Sequence, residues 1–322
     1  MITLEPGVSP VRLSVGDSWT LPTATAVDNV EGEISFIDVD TTLINQFYNS
    51  STSQYIFTTT GTYEVEFTAA DESGNIATKV IIIIVSDGVD SYTGYYESIN
   101  GLSGQALVDE LYTVLNNTGQ YTTTTYGAAR YHLEQTDAWI GFNTNYLYLI
   151  YTDTLKGSVS SGYPDEGYAL AKWDEGATWN REHVWAKSLF GTGNYEPGAS
   201  TRGIDADLHN LRAADTTVNS TRSNNLFINQ VYNAGGFGNY NSKWYPGDHH
   251  RGDVARILFY MDIRWGGLTN LSNIGDLATL LQWHELDPVD DFEINRNNLI
   301  YGFQNNRNPF IDHPELVDKI WA

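Results

Sequence analysis

Two stretches of the chain hold the side chains that could do chemistry. "NREHVWAKS" (180–188) sets Glu182 beside His183, and "DADLHNLRAADTTVNSTRSN" (205–224) adds Asp205, Asp207, His209, Asn210, Arg212, Asn219 and Arg222. A carboxylate is a hard ligand for a divalent cation and a neutral imidazole is a general base, so Glu182 and His183 divide naturally into metal holder and proton acceptor. Neighbouring residues on a strand point to opposite faces, so the two can serve one site only where the backbone bends at a strand end or turn. Magnesium-type ions prefer oxygen donors and keep several waters, which makes the amide oxygen of Asn219 the candidate second ligand. "DTTVNSTRSN" predicts a short helix capped by Asp215, with Asn219, Arg222 and Ser223 on one face.

The elements around these stretches read as two domains in 322 residues. Residues 1–88 show the period of two of an all-β domain, as in "TYEVEFTAA" and "TKVIIIIVS" joined through "DESGN". Glycine, serine and aspartate then gather in a linker at 89–94, and the second domain is expected over 95–322. There, "SGQALVDELYTVLNN" places Leu107, Leu111, Val114 and Leu115 on one helical face with Ser103 as cap, and "GDVARILFYMDIRW" does the same with Val254, Ile257, Leu258 and Met261. Between these helices, about 120–245, periodicity is poor and loops are expected, ground where chemistry usually sits.

Composition narrows the classes. Hydrophobic residues at 41% and aromatics at 13% exceed what a disordered chain carries. Cysteine is absent, which removes disulfides, thiolate zinc sites and thiol nucleophiles. The longest aliphatic run, "VIIIIV" (80–85), cannot span a bilayer. Two expectations stay open here, a cytoplasmic protein or a secreted one (extracellular or periplasmic) whose leader is not part of this sequence. Its net charge of -23 argues against broad electrostatic capture of nucleic acid, so an anionic substrate needs a cation, clustered arginine or screening salt. Tolerance of high salt follows as an expectation.

At these residues the chain resembles the bacterial endonuclease I family of non-specific ββα-metal (His-Me finger) nucleases. "YYESINGLSGQAL" (95–107), "NREHVWAKSLF", "DLHNLRAADTTVNSTRSN", "RGDVARILFYMDIRW" and "FEINRNNLIYGFQNNRNPFIDHPELVDKIW" match it in order. "TATAVDNVEGEISF" and "TGTYEVEFTAADESGNIAT" resemble bacterial immunoglobulin-like repeats. The implied fold is an immunoglobulin-like β-sandwich followed by an α+β ββα-metal nuclease domain. The resemblance implies Glu182 and Asn219 as ligands of one divalent cation (Mg²⁺ first, Mn²⁺ or Ca²⁺ as alternatives), His183 as the base, and hydrolysis of DNA and RNA to 5′-phosphate ends. The chain departs from the family pattern at Ala186 and Ala213, where members commonly carry proline; both are expected in loops. An arginine that contacts phosphate in relatives falls in a segment of variable length, with Arg202 as its candidate.

Several residues keep two readings. His209 and Asn210 buttress the site or touch the metal. Asp205 is a solvated acid or a water-mediated ligand. Arg212 and Arg222 hold phosphate or pair with Asp215 or Asp207, Arg181 binds substrate or supports the site, and Arg296 and Arg307 line the groove or tie C-terminal helices together. Trp179, Trp185 and Phe190 stack on bases or pack around the motif. "GDHHRGD" (247–253) reads as a loop and helix start rather than a metal site. Two rival functions remain open at this point: an inactive, nuclease-like surface adhesin or carbohydrate-binding protein, and a zinc phosphoesterase using His183, His209 and Asp207.

Overall fold

A computed structural model of the chain describes every residue except 1, 6–10, 29–31, 87–91, 118–123, 139–145, 153–167, 171, 194–195, 230–235 and 322; residues 2–5 and 168–170 are described by backbone alone. Contacts divide the chain into two compact units, Met1–Gly101 and Leu102–Ala322. Part of the linker expected at 89–94 lies outside the described residues.

The first unit is strand-rich. Strands Gly61–Ala70 and Ile76–Ser86 form an antiparallel hairpin, flanked by Val11–Ser14 and Ile37–Asp40 in a four-stranded sheet. Its period of two is visible in the side chains: Val65, Phe67, Ala69, Ile81, Ile83 and Val85 are buried, while Glu64 and Glu66 are exposed. At the hairpin turn the Asp71 carboxylate accepts from the backbone N–H of Asn75 at 2.7 Å and from its Nδ2 at 2.6 Å. Gly74 supplies the left-handed backbone there, with φ +85°. Among the described residues the unit also holds two three-stranded sheets, and Ile44, Phe47, Tyr55 and Phe57 join the same core.

The second unit is α+β. Helix Gly104–Leu115 buries Leu107, Leu111 and Leu115, with Ser103 at its N-cap position but without a side-chain hydrogen bond. Helix Arg251–Arg264 is buried along nearly its whole length, and His250 sits at its N-cap, where "GDHHRGD" predicts a helix start. Deep in this unit, strand Trp179–His183 pairs antiparallel with Leu211–Asp215, in register from Trp179 opposite Asp215 to His183 opposite Leu211. Helix Thr216–Arg222 follows at once, because the Asp215 carboxylate accepts from the N–H groups of Thr217 at 2.8 Å and Val218 at 3.0 Å and so closes its first turn. Trp179, Leu211 and Ala213 pack with Leu133, Leu147, Leu208 and Ile300, which fixes the strand pair in the core. Ala213, expected in a loop, lies inside a strand: it pairs opposite Arg181 and its N–H donates to Asp137 at 2.8 Å.

Candidate active site

Glu182 and His183 end their strand, and both line a cleft of about 380 Å³ shared with Arg181, Lys187, Ser188, Asn219, Arg222 and Asn224. Strand alternation sorts the residues before the cleft gathers them. On one side, Asn180 and Glu182 meet the helix: Asn219 Nδ2 donates to Asn180 Oδ1 at 2.6 Å, and Arg222 Nη1 stands 3.2 Å from Glu182 Oε1. On the other side, Tyr126 lies 3.7 Å below the Arg181 guanidinium and stacks on the His183 ring at 5.6 Å. The backbone leaves the strand immediately afterwards, and two side chains hold that exit. Arg222 Nη2 donates to the Val184 carbonyl at 2.6 Å, while Asn210 accepts from Trp185 N–H at 2.7 Å and donates back to Trp185 O at 3.2 Å.

Glu182 is buried, which pushes its carboxyl up to about 7; the Arg222 charge and the Tyr151 hydroxyl, donating to Oε1 at 2.8 Å, pull the other way. Both neighbours engage Oε1, and among the described residues Oε2 accepts no hydrogen bond. On His183, burial lowers the imidazole to about 4, against the opposing bond and charge of Asp205, so the ring is neutral at physiological pH. Its Nε2 lies 2.9 Å from the Asp205 carbonyl oxygen. A carbonyl only accepts, so Nε2 carries the hydrogen and the basic lone pair is on Nδ1.

The other sequence candidates divide sharply. Arg181 and Arg222 stand on the cleft. Asp205 contributes its carbonyl, and Asn210 buttresses the strand exit. Arg202 is exposed at the start of the Gly203–Ala206 turn and is not among the residues lining the cleft. His209 is buried against Tyr260 with Nε2 toward the Asn306 carbonyl, and burial lowers it to about 3. Arg212 is enclosed by Asp137 and Asp253, both at 2.9 Å. Arg296 donates to Asp137 and to the Leu208 carbonyl, which makes it an internal tie rather than a groove residue. Arg307 is bound to Asp312 through two hydrogen bonds, at 2.6 and 2.7 Å. Trp179, Trp185 and Phe190 are buried, so they pack around the motif.

The zinc set is not assembled. Asp207 accepts from Gln304, Tyr260 and Trp265, and no group of three His, Cys, Asp or Glu able to hold a metal occurs among the described residues. What the cleft does offer is two oxygens, one carboxylate and one amide, on a single wall. Hard oxygen donors with room for waters suit a magnesium-type ion and do not suit a soft or strictly tetrahedral one. Tyr126, Tyr151 and Asn180 escape the sequence reading: Tyr151 adopts φ +73° in a stretch without periodicity, and none of the three types signals chemistry by itself.

The Endonuclease I family model matches residues 103–315. Extracellular ribonuclease of Bacillus amyloliquefaciens is 36% identical over 261 residues, 74% of this chain and 81% of the relative. Extracellular ribonuclease of Bacillus subtilis (strain 168) is 37% identical over 247 residues, covering 70% and 78%. Endonuclease-1 of Buchnera aphidicola subsp. Acyrthosiphon pisum (strain APS) matches a shorter part, 28% identical over 115 residues, or 34% of this chain and 45% of the relative.

Proposed function

From the premise that this chain belongs to the endonuclease I family, we propose that it is a secreted, metal-dependent, non-specific endonuclease acting on RNA and DNA and leaving 5′-phosphate ends. On this reading the strand pair and helix at 179–183 and 211–222 are a ββα-metal motif, and the first unit is an immunoglobulin-like sandwich. RNA belongs among the substrates because the two Bacillus relatives are named ribonucleases, and secretion because both are named extracellular.

The observation that carries the reading is the meeting of Glu182, His183 and Asn219 on one cleft, with the basic nitrogen of His183 defined by the Asp205 carbonyl. His183 Nδ1 takes a proton from a water as its oxygen bonds to phosphorus. The bond from phosphorus to the 3′ oxygen breaks, that oxygen takes a proton from solvent, and the phosphate stays on the 5′ side. Glu182 and Asn219 would hold a divalent ion, which when bound supplies positive charge to the phosphate and the leaving oxygen. Arg181 and Lys187, the latter paired with the exposed Glu196 at 2.8 Å, line the cleft and would give the phosphate further cationic contacts in a chain that otherwise repels it.

Plasmid nicking and RNA digestion with and without chelator test this. His183→Ala should lower kcat by about a hundred to ten thousandfold, the usual worth of a positioned base. Activity that survives both chelation and His183→Ala would overturn the mechanism. Glycan binding with no nuclease activity in any divalent metal would favour an adhesin.

A further inference from the structure

One region beside the cleft treats its arginines differently from the rest of the unit. Every arginine from Arg212 to Arg307 has a carboxylate between 2.5 and 3.4 Å away. Arg130 and Arg181 have none within ion-pair reach among the described residues, although the chain carries 40 acidic side chains against 17 basic ones. Aromatic rings take the place of the acids. The Arg181 guanidinium lies 3.7 Å from the Tyr126 ring centre and 5.5 Å from that of Trp173. Arg130 stands 5.7 Å from the Trp173 ring and 4.8 Å from Tyr131, whose hydroxyl accepts from its Nη2 at 3.1 Å. From Tyr126, which stacks on the His183 ring, ring and cation therefore alternate through Arg181, Trp173 and Arg130 to Tyr131, which is 50% exposed.

The row is built rather than incidental. Tyr126 and Arg130 are one helical turn apart, and the helix start is held where Gly127 approaches Ala199 so closely that a Cβ would meet its carbonyl oxygen at 2.8 Å. Trp173 is anchored edge-on to the buried Trp179 at 4.9 Å, and its backbone N–H donates to Glu134 at 2.8 Å. The two guanidinium groups are near enough for the charge of Arg130 to add to burial in lowering the affinity of Arg181 for its proton. An anion between them would relieve that repulsion.

We propose that Tyr126, Arg181, Trp173, Arg130 and Tyr131 form a track for an unpaired nucleic-acid strand, which leads its phosphates and bases into the cleft. Guanidinium groups without carboxylates bind phosphate, and ring faces and guanidinium planes stack on bases. A duplex keeps its base faces inside its own stack, so the track takes single strands. The inference rests on the nuclease reading of the cleft.

The test is fluorescence anisotropy with a labelled single-stranded oligonucleotide and the matching duplex, in chelator to stop cleavage, alongside KM for the same strand with metal restored. The parent protein should bind the single strand more tightly than the duplex. Arg130→Ala with Tyr131→Ala should weaken single-strand binding and raise KM by roughly tenfold, in line with the worth of one stacked base. Both side chains sit on the surface side of a helix, and an unchanged thermal midpoint confirms the fold. Lys243→Ala, an exposed cation elsewhere, controls for charge alone. Equal affinity for the two nucleic acids, or an Arg130→Ala/Tyr131→Ala variant that binds and cleaves like the parent, would overturn the track while nuclease activity stands. A parent protein that neither cleaves nor binds nucleic acid would sink the nuclease reading itself.

Discussion

In the Met1–Gly101 unit the buried residues, among those described, are apolar or aromatic, whereas the Leu102–Ala322 unit encloses Arg212, Arg222, Arg256, Arg264 and Arg296 together with Asp137, Asp207 and Glu293. The first unit solves its folding problem with alternation, and none of its described charged residues is buried. The second takes ions out of water, which costs several kcal/mol for each unless a partner with good geometry compensates. What that difference teaches is where the site's geometry originates. Asp137 ends the helix that carries Tyr126, and it accepts from Arg212 Nε and the Ala213 N–H of one site strand and from Arg296 of a C-terminal helix. Through that strand it sets the position of Asp215, whose cap starts the helix that carries Asn219.

The contrast breaks most visibly if its central carboxylate is removed. Asp137→Ala leaves the buried Arg296 without a carboxylate and Arg212 with Asp253 alone, and should destabilise the second unit by about 3–5 kcal/mol. Glu66→Ala, on the exposed face of the first unit, should stay within about 0.5 kcal/mol. Urea unfolding followed by tryptophan fluorescence reads the second unit almost alone, since every tryptophan but Trp19 lies there. A loss below about 1 kcal/mol for Asp137→Ala would show that the ion network does not hold the strand pair.

Acid separates the units next. All seven histidines follow residue 131, so the first unit has none. Burial lowers His250 from about 6.5 to about 4, and its Nε2 faces the Thr152 carbonyl at 3.2 Å. Between those values the unfolded chain binds a proton that the folded chain refuses. The stability this histidine allows is therefore complete above about pH 6.5 and is lost as pH falls toward 4. Raised carboxylates such as Asp262, pushed to about 6 by burial, work in the opposite sense over part of this window, so the difference between variants is the cleaner readout. His250→Gln should flatten the dependence of unfolding free energy on pH by up to about 1.4 kcal/mol per unit between those limits. An unchanged slope would mean that this ring is protonated in the folded protein.

The same contrast explains what could be read from the residues alone. Alternation in "TYEVEFTAA" and "TKVIIIIVS" announces the hairpin because one face simply avoids water. "DTTVNSTRSN" announces a capped helix because Asp215 has a local job, two and three residues away in sequence. Glu182, His183 and Asn219 were legible as a set only through their spacing and the family resemblance. Tyr151 and Asn180 were not, since their partners are 31 and 39 residues away and neither position has a local signal. Arg212, Arg296 and Arg307 look alike in sequence and act as internal ties because Asp137, Asp253 and Asp312 reach them first. Tertiary pairing of charges across 75 or 159 residues leaves no periodic trace.

The smallest expected effect uses Ala186 and Ala213. Ala186 has φ -56°, the value a proline ring imposes, and its N–H is not used by any described residue. Ala186 also lines the cleft. Ala186→Pro should therefore gain about 0.4–1 kcal/mol, mostly by restricting the unfolded chain. Ala213 differs because its N–H donates to buried Asp137, so Ala213→Pro removes a bond from the carboxylate that two arginines already share, and should lose more than Ala186→Pro gains. Paired urea titrations read both signs at once. If Ala213→Pro were tolerated, a buried charge would have proved indifferent to one of its donors, and the two units would differ in composition without differing in how tightly their interiors constrain the backbone.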